Sequence, residues 1–130
     1  MKLSIRNTAS VRSMLKKYKA AAVKVLASEL YKEGERIMLD SKNNYVPVDL
    51  GALKSSGHVQ APVIGASGIS VTLGYGGASA PYAIYVHEDL NAIHPVGQAK
   101  FLEIPVRRAG KGTSSRVADG MRRRLKNVTR

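Results

Sequence analysis

Apolar residues change their spacing twice along this chain. In the first third Val11, Met14, Leu15, Tyr18, Ala22, Val25, Leu26 and Leu30 recur three or four residues apart, and Ile37 and Met38 continue the stripe. That spacing puts them on one face of a helix. No Pro interrupts the run, and Thr8 or Ser10 can cap its start by accepting a backbone N–H bond. Its one glycine, Gly34, costs about 1 kcal/mol relative to Ala in a helix interior. The pattern predicts a long amphipathic helix over residues 10–42, preceded by a short basic arm at 1–9.

Alternation replaces this period in the middle of the chain. Ser41-Lys42-Asn43-Asn44 reads as a turn, and Pro47 biases Val46 toward extended backbone. Asp49 and Gly51 suit a turn or short helix start. His58 to Ile64 reads as a strand, Gly65-Ala66-Ser67-Gly68 as a hairpin connection, and Ile69, Val71 and Leu73 as the buried face of the return strand. Tyr82 to His87, rich in β-formers, reads as a third strand after a small-residue loop. Residues 45–96 are therefore turn, hairpin and third strand.

A helical segment is expected over 97–126, broken near 105–112. Pro105 lacks an N–H, so either Ile104 ends a helix or Pro105 begins one. Gly110-Lys111-Gly112 is a second break, after which Val117, Met121 and Leu125 form a narrow stripe under a basic coat. The order implies a single α+β domain over 1–130. A long N-terminal helix is followed by a small antiparallel sheet of about three to four strands, with a C-terminal helix or helices packed on one face.

Composition alters this picture mainly through charge. The 130 residues carry a net charge of +12, concentrated at the ends. Met1 to Ser28 holds seven Lys or Arg and no acid, and Arg107 to Arg130 holds nine against the single Asp119. Such ends attract anionic partners, whether nucleic acid or an acidic protein surface. The candidate basic interface comprises Lys16, Lys17 and Lys19 on the first helix with Arg107, Arg108, Arg122, Arg123, Arg124 and Lys126 near the other end. Readers of bases usually interleave stacking aromatics with the charges, and the two basic ends contain only Tyr18. That favours backbone attraction or docking on an acidic rim. The absence of Cys excludes disulfides and thiolate metal sites. No run approaches the roughly 20 apolar residues of a membrane span, and no secretory h-region follows the N-terminus, so a soluble, unsecreted chain with no membrane partner is expected.

Candidate chemistry is sparse. His87 and His94, with Glu88 and Asp89 between them, fall short of a metal-ligand set and read more simply as a polar surface loop. Ser55 and Ser56 lie near His58 without a G-x-S-x-G elbow or an orienting third group. Neither Gly65–Gly68 nor Gly74–Gly77 matches a phosphate loop. No catalytic, cofactor or metal residue is assigned. Ala20-Ala21-Ala22, with Val25 and Leu26, is either core or an oligomer seam.

Taken in order over roughly sixty residues, three segments resemble a known family. The first is Val46-Pro47-Val48-Asp49-Leu50-Gly51-Ala52-Leu53-Lys54-Ser55-Ser56, the second Tyr82-Ala83-Ile84-Tyr85-Val86-His87-Glu88. A loop with His94 then leads to Gly97-Gln98-Ala99-Lys100-Phe101-Leu102-Glu103. After a long helix, this series is similar to the tail-completion proteins of tailed bacteriophages, also called head–tail joining, neck or minor capsid proteins. Leu50 stands where Thr is more usual, and Pro105 and the Gly110-Lys111-Gly112 break also depart from the family's pattern, which leaves the length and continuity of the final helix open. The resemblance implies a structural virion protein at the head–tail junction, made in the cytoplasm of the infected bacterium. It would act without cofactor or catalysis. Its partners would be copies of itself in a ring, commonly six-fold, the head-connector proteins, and a tail terminator or tail-tube protein. DNA in the channel would be touched without specificity. Pro47 and Gly51 would fix the chain's exit from the long helix, and Tyr82, Tyr85 and Phe101 would anchor the core. The glycine-rich loop and the 88–96 segment would reorder as neighbours dock. The rival is a small basic nucleic-acid-binding protein.

Overall fold

The computed structural model describes residues 1–7, 9–48, 51–66 and 68–128, with side chains for 1–6, 20–48, 51–66 and 68–126. Nine elements follow one another among these residues: β1 (Lys2–Asn7), α1 (Ala9–Asn44), α2 (Ala52–Ser55), β2 (His58–Val59), β3 (Val63–Gly65), β4 (Gly68–Gly74), α3 (Ala83–Glu88), α4 (Glu103–Gly110) and α5 (Thr113–Val128). The fold is α+β, with a four-stranded antiparallel sheet.

β4 is the centre of that sheet. It pairs with β1 along one edge and with β2 and β3 along the other. Its alternation is complete: Ile69, Val71 and Leu73 are all 0% exposed, while Ser70 and Thr72 turn outward and stay partly accessible. The expected basic arm is corrected here, because residues 2–7 form β1. Leu3 faces Leu73 and Ile5 faces Val71, so the short Leu3-Ser4-Ile5 alternation is a strand once an edge 68 residues away receives it. The expected strand over 58–64 is two strands. Val59 faces Leu73 and Val63 faces Ser70, which leaves one extra residue on their side of the ladder. Pro62, with no N–H to donate, sits in that bulge.

The expected third strand over 82–87 is also corrected: these residues form α3. Ala83 and His87, four apart, are buried, while Ile84, Tyr85 and Glu88 face outward. Both edges of β4 are already occupied, so β-propensity yields to tertiary context. The helix expected from Gly97 begins instead at Glu103. Gly97 and Lys100 take left-handed backbone, at φ 86° and 56°, and keep 97–102 out of the helix. Pro105 is buried in the first turn of α4, where its missing N–H has no helical acceptor to lose. Ser41 to Asn44 is the last turn of α1 rather than a loop. The Thr8 and Ser10 caps fall outside the described residues or side chains.

α1 is buried on two sides. Leu26, Leu30 and Ile37 belong to the apolar clusters shared with Val71 and Leu73, while Val117 and Met121 of α5 close over the same helix. Gly34 is what lets the helix seat on the sheet. A Cβ there would stand 3.0 Å from a methyl of Val59 and 3.0 Å from a methyl of Val71. The helix accepts the propensity cost of glycine for this close approach. At its C-terminal end Ser41, 0% exposed, shares a 2.8 Å hydrogen bond with the Tyr75 hydroxyl, and its own hydroxyl donates to the Phe101 carbonyl. Tyr75 packs edge-on against Phe101 at 5.0 Å, and burial pushes its phenol up to about 12 despite the Ser41 bond.

Gly34→Leu should force the helix off β4 and cost about 2–3 kcal/mol, as overpacking does. Gly34→Ala should cost far less, because about 1 kcal/mol of helix propensity offsets the crowding of two methyls. Urea unfolding of both variants checks the order, and a Leu variant as stable as wild type would contradict the close approach.

Candidate functional site

The family-like segments converge on the C-terminal end of α1. Val46 and Pro47 are buried. Gly97 lies so close that a Cβ would meet Pro47 N and the Val46 carbonyl at 2.6 Å. The Gln98 N–H donates to Tyr45 O at 2.8 Å, completing the clasp. Gly51 starts α2 in left-handed backbone, φ 72°, and aims Leu53 into the cluster with Tyr75 and Phe101. The Ser56 hydroxyl donates to Leu53 O at 2.6 Å and accepts the Gly76 N–H at 2.9 Å, which pins the glycine-rich loop to α2. Asp49 lies outside the described residues.

A polar knot holds the other side. His87, 4% exposed, stacks edge-on over Phe101 at 4.9 Å. Its Nε2 receives the Glu103 N–H at 3.3 Å, so Nδ1 carries the proton and donates to Glu88 at 2.8 Å. Lys100 pairs with Glu88 and reaches Glu103 at 3.7 Å, while its N–H donates to His87 O at 2.8 Å. The Lys100 ammonium, and after it His87, hold the Glu88 carboxyl below its usual range. Glu88 in turn raises Lys100. Leu102 is fully buried, Tyr82 and Val86 half-buried against the same core, and His94 half-buried.

Tyr85 is not the expected core anchor, because it is 76% exposed. Tyr75, fully buried, takes that part. Tyr85 belongs instead to an exposed apolar stretch with Ile84, Leu90, Ile93 and Val96, and Ile93 is 96% exposed. Buried Ala83 and Gly97 bracket this stretch, and His87 fastens it to the core between Tyr85 and Leu90.

The basic residues divide into two groups. The side chains of Lys16, Lys17 and Lys19 lie outside those described. Arg107 pairs with Glu103 at 3.4 Å, Arg122 with Asp119 at 2.5 Å, and Arg124 with the buried Glu29 at 3.3 Å; Arg108 bonds the Tyr45 hydroxyl. Arg123 and Lys126 are exposed and form no ion pair among the described residues. The most heavily bonded cation, Arg116, is one that residue spacing does not single out. Its Nε donates to both Glu33 oxygens at 2.9 and 3.2 Å, and its Nη2 to Glu33 and to Ala109 O. Two acids one helical turn apart, Glu29 and Glu33, inside an apolar stripe are the sequence signal for such a partner. Gly120 of α5 leaves the space in which the Glu29 carboxylate lies.

The Ser56 hydroxyl is engaged by Leu53 and Gly76, and His58 Nδ1 bonds Ser56 O at 2.8 Å rather than a serine hydroxyl. Among the described residues no cluster of three or more His, Asp or Glu could hold a metal ion. No helix among them is long and apolar enough to cross a membrane. No family model, no curated protein and no solved structure matches the chain.

Gly97→Ala adds a Cβ against main chain at a left-handed φ and should destabilise by about 2–4 kcal/mol. Thermal unfolding reads the effect, and an unchanged midpoint would contradict the clasp. Burial pushes the Glu33 carboxyl up, but hydrogen bonds from Arg116, Arg36 and Thr113 outweigh it and hold it below its ordinary 4.5. The unfolded chain therefore binds this proton first as pH falls. The Glu33 contribution is complete above about pH 4.5 and lost as pH falls through the folded value. At pH 7 Glu33→Gln should cost about 1.5–3 kcal/mol, the range of charged hydrogen bonds. Below pH 3, in urea titrations, the gap to wild type should narrow, and a gap independent of pH would refute the linkage.

Proposed function

We propose that the chain is a structural protein of a tailed-phage neck, a ring subunit that joins the head connector to the tail during assembly. The observation that carries this reading is the convergence of residues 45–56, 82–88 and 97–103, the segments that resemble tail-completion proteins, on one buried hub. That hub presents an exposed apolar loop. A hub of this kind suits assembly, in which fixed surfaces meet neighbours and no bond is made or broken. On this reading the protein needs no cofactor. Its partners are its own copies, the head-connector proteins, and a tail terminator or tail-tube protein, and its place is the head–tail junction of the virion. Arg123 and Lys126 on α5 suit an acidic connector or tail surface, or the phosphates of DNA in the channel.

Infected cells lacking the protein should accumulate DNA-filled heads and separate tails, and electron microscopy of complete particles should place the chain in a ring at the junction. Complete particles without it, or density in the shell or tail tip, would overturn the reading.

The free cations of α5 also support a second reading, that of a small nucleic-acid-binding protein. Duplex binding would then weaken steeply with salt, and Arg123→Glu with Lys126→Glu would lower both affinity and salt slope. The neck reading expects weak binding, with no preference of sequence.

A further inference from the structure

We propose that the exposed stretch 84–96 of one copy docks on the outer sheet face of a second copy, over Val63 of β3 and Arg6 of β1 and against Ile64 at the β3 edge, in a head-to-tail contact. The inference deepens the ring reading and rests on it only for closure of the ring.

Exposure locates the two halves. Large apolar side chains of 84–96 stand in solvent, with Leu90 73% and Ile93 96% exposed. Elsewhere the same is true of the adjacent pair Val63 at 64% and Ile64 at 55% and, singly, of Leu39 on α1 at 59%. Apolar groups this open and this concentrated mark an interaction surface.

Charge identifies the occupant. Residues 84–96 hold no Lys or Arg, in a chain whose net charge is +12, and of their two acids Glu88 is paired with Lys100 while exposed Asp89 pairs with no cation among the described residues. The outer face of the sheet carries Lys2 and Arg6 and no acid among the described residues. Arg6 and Val63 both face Ser70, from opposite sides, so they share that face at two strand spacings, roughly 10 Å. An acidic apolar stretch thus has its complement, apolar with a cation beside it, on another copy of the same chain.

Topology fixes the kind of contact. Val63 and Ile64 pair with Ser70 and Ile69 near the start of β4, whereas 84–96 follows its far end at Gly74. Five residues of strand separate the ends by roughly 17 Å. The two patches are different surfaces at opposite ends of the sheet, so their union is heterologous, the type that closes into a ring when the rotation per copy permits.

A photo-cross-linker at position 93 tests this in the full chain, with equal amounts of isotopically light and heavy protein at about 1 mM, where contacts of only a few kcal/mol are populated. Cross-links between light and heavy chains should fall on residues 1–7 or 58–65. Val63→Asp should lower their yield about tenfold, the effect of roughly 1.4 kcal/mol. Arg6→Glu should weaken the contact and Asp89→Arg in the same chain restore it. All three positions are exposed, and circular dichroism confirms that the variants fold. Absence of intermolecular cross-links, or links from 93 to 84–96 of the other copy, would overturn the proposal. A chain that cross-links as expected but is missing from the neck supports this contact and removes the neck reading. A chain found in the neck that cross-links elsewhere does the opposite.

Discussion

Two-sided burial of α1 is the constraint on which the remaining architecture depends. One side must approach β4 closely enough to cover Val71 and Leu73, and Gly34 supplies the clearance. The other side carries Glu29 and Glu33, 9% and 5% exposed, and buried carboxylates call for cations beside them, which Lys32 and Arg36 of the same helix supply in part. Arg116 and Arg124 come from α5, so the last helix is held by the electrostatic demand of the first as well as by Val117 and Met121. An apolar replacement of both acids would satisfy burial equally well. What the carboxylates add is a specific rotation of α5 about α1, since Arg116 must meet both oxygens of Glu33 at once.

That arrangement leaves the C-terminal end of α1 as the meeting point of distant segments. Ser41 bonds Tyr75 at the end of the sheet and Phe101 ahead of α4, so the helix, the sheet and the last third of the chain share one buried hydroxyl. Buried Ala83 and the Val46-Pro47 turn under Gly97 then fasten the two ends of the exposed stretch, and the His87–Glu88–Lys100 knot fastens its middle. A surface element anchored at both ends loses less freedom on docking than a free one, which favours its use as a contact.

The legible parts of the fold were those in which local pattern and tertiary demand agree. Ile69-Ser70-Val71-Thr72-Leu73 alternates and is a half-buried strand, and the stripe from Ala22 to Met38 repeats with the helical period and is buried as expected. Where the two part, local pattern misleads. Tyr82 to His87 has strand propensity but meets a sheet with no free place beside β4, so it coils into α3. Leu3-Ser4-Ile5 is too short to stand out from a basic tail until β4 gives it a ladder. The resemblance picked out 45–56 and 97–103 but not their convergence, because nothing local to Pro47 reports that Gly97 will lie against it.

Charge carries the same lesson into function. A net charge of +12 reads at first as one property of the chain, yet its cations do different work. Arg36 and Arg116 are spent on Glu33, Arg124 on Glu29, and Lys100 on Glu88, so these positions answer to internal acids. Arg123 and Lys126 answer to none among the described residues, and Lys2 and Arg6 stand on an open sheet face. Long-range attraction depends on the summed field and would persist if the paired set were shuffled. Specific docking depends on where the unspent cations stand relative to exposed apolar groups. On this chain that separates two surfaces: α5, where cations stand without large exposed apolar neighbours, and the outer sheet face, where Arg6 stands across Ser70 from Val63. The first suits a diffuse anionic partner, and the second suits a partner that is itself apolar and acidic.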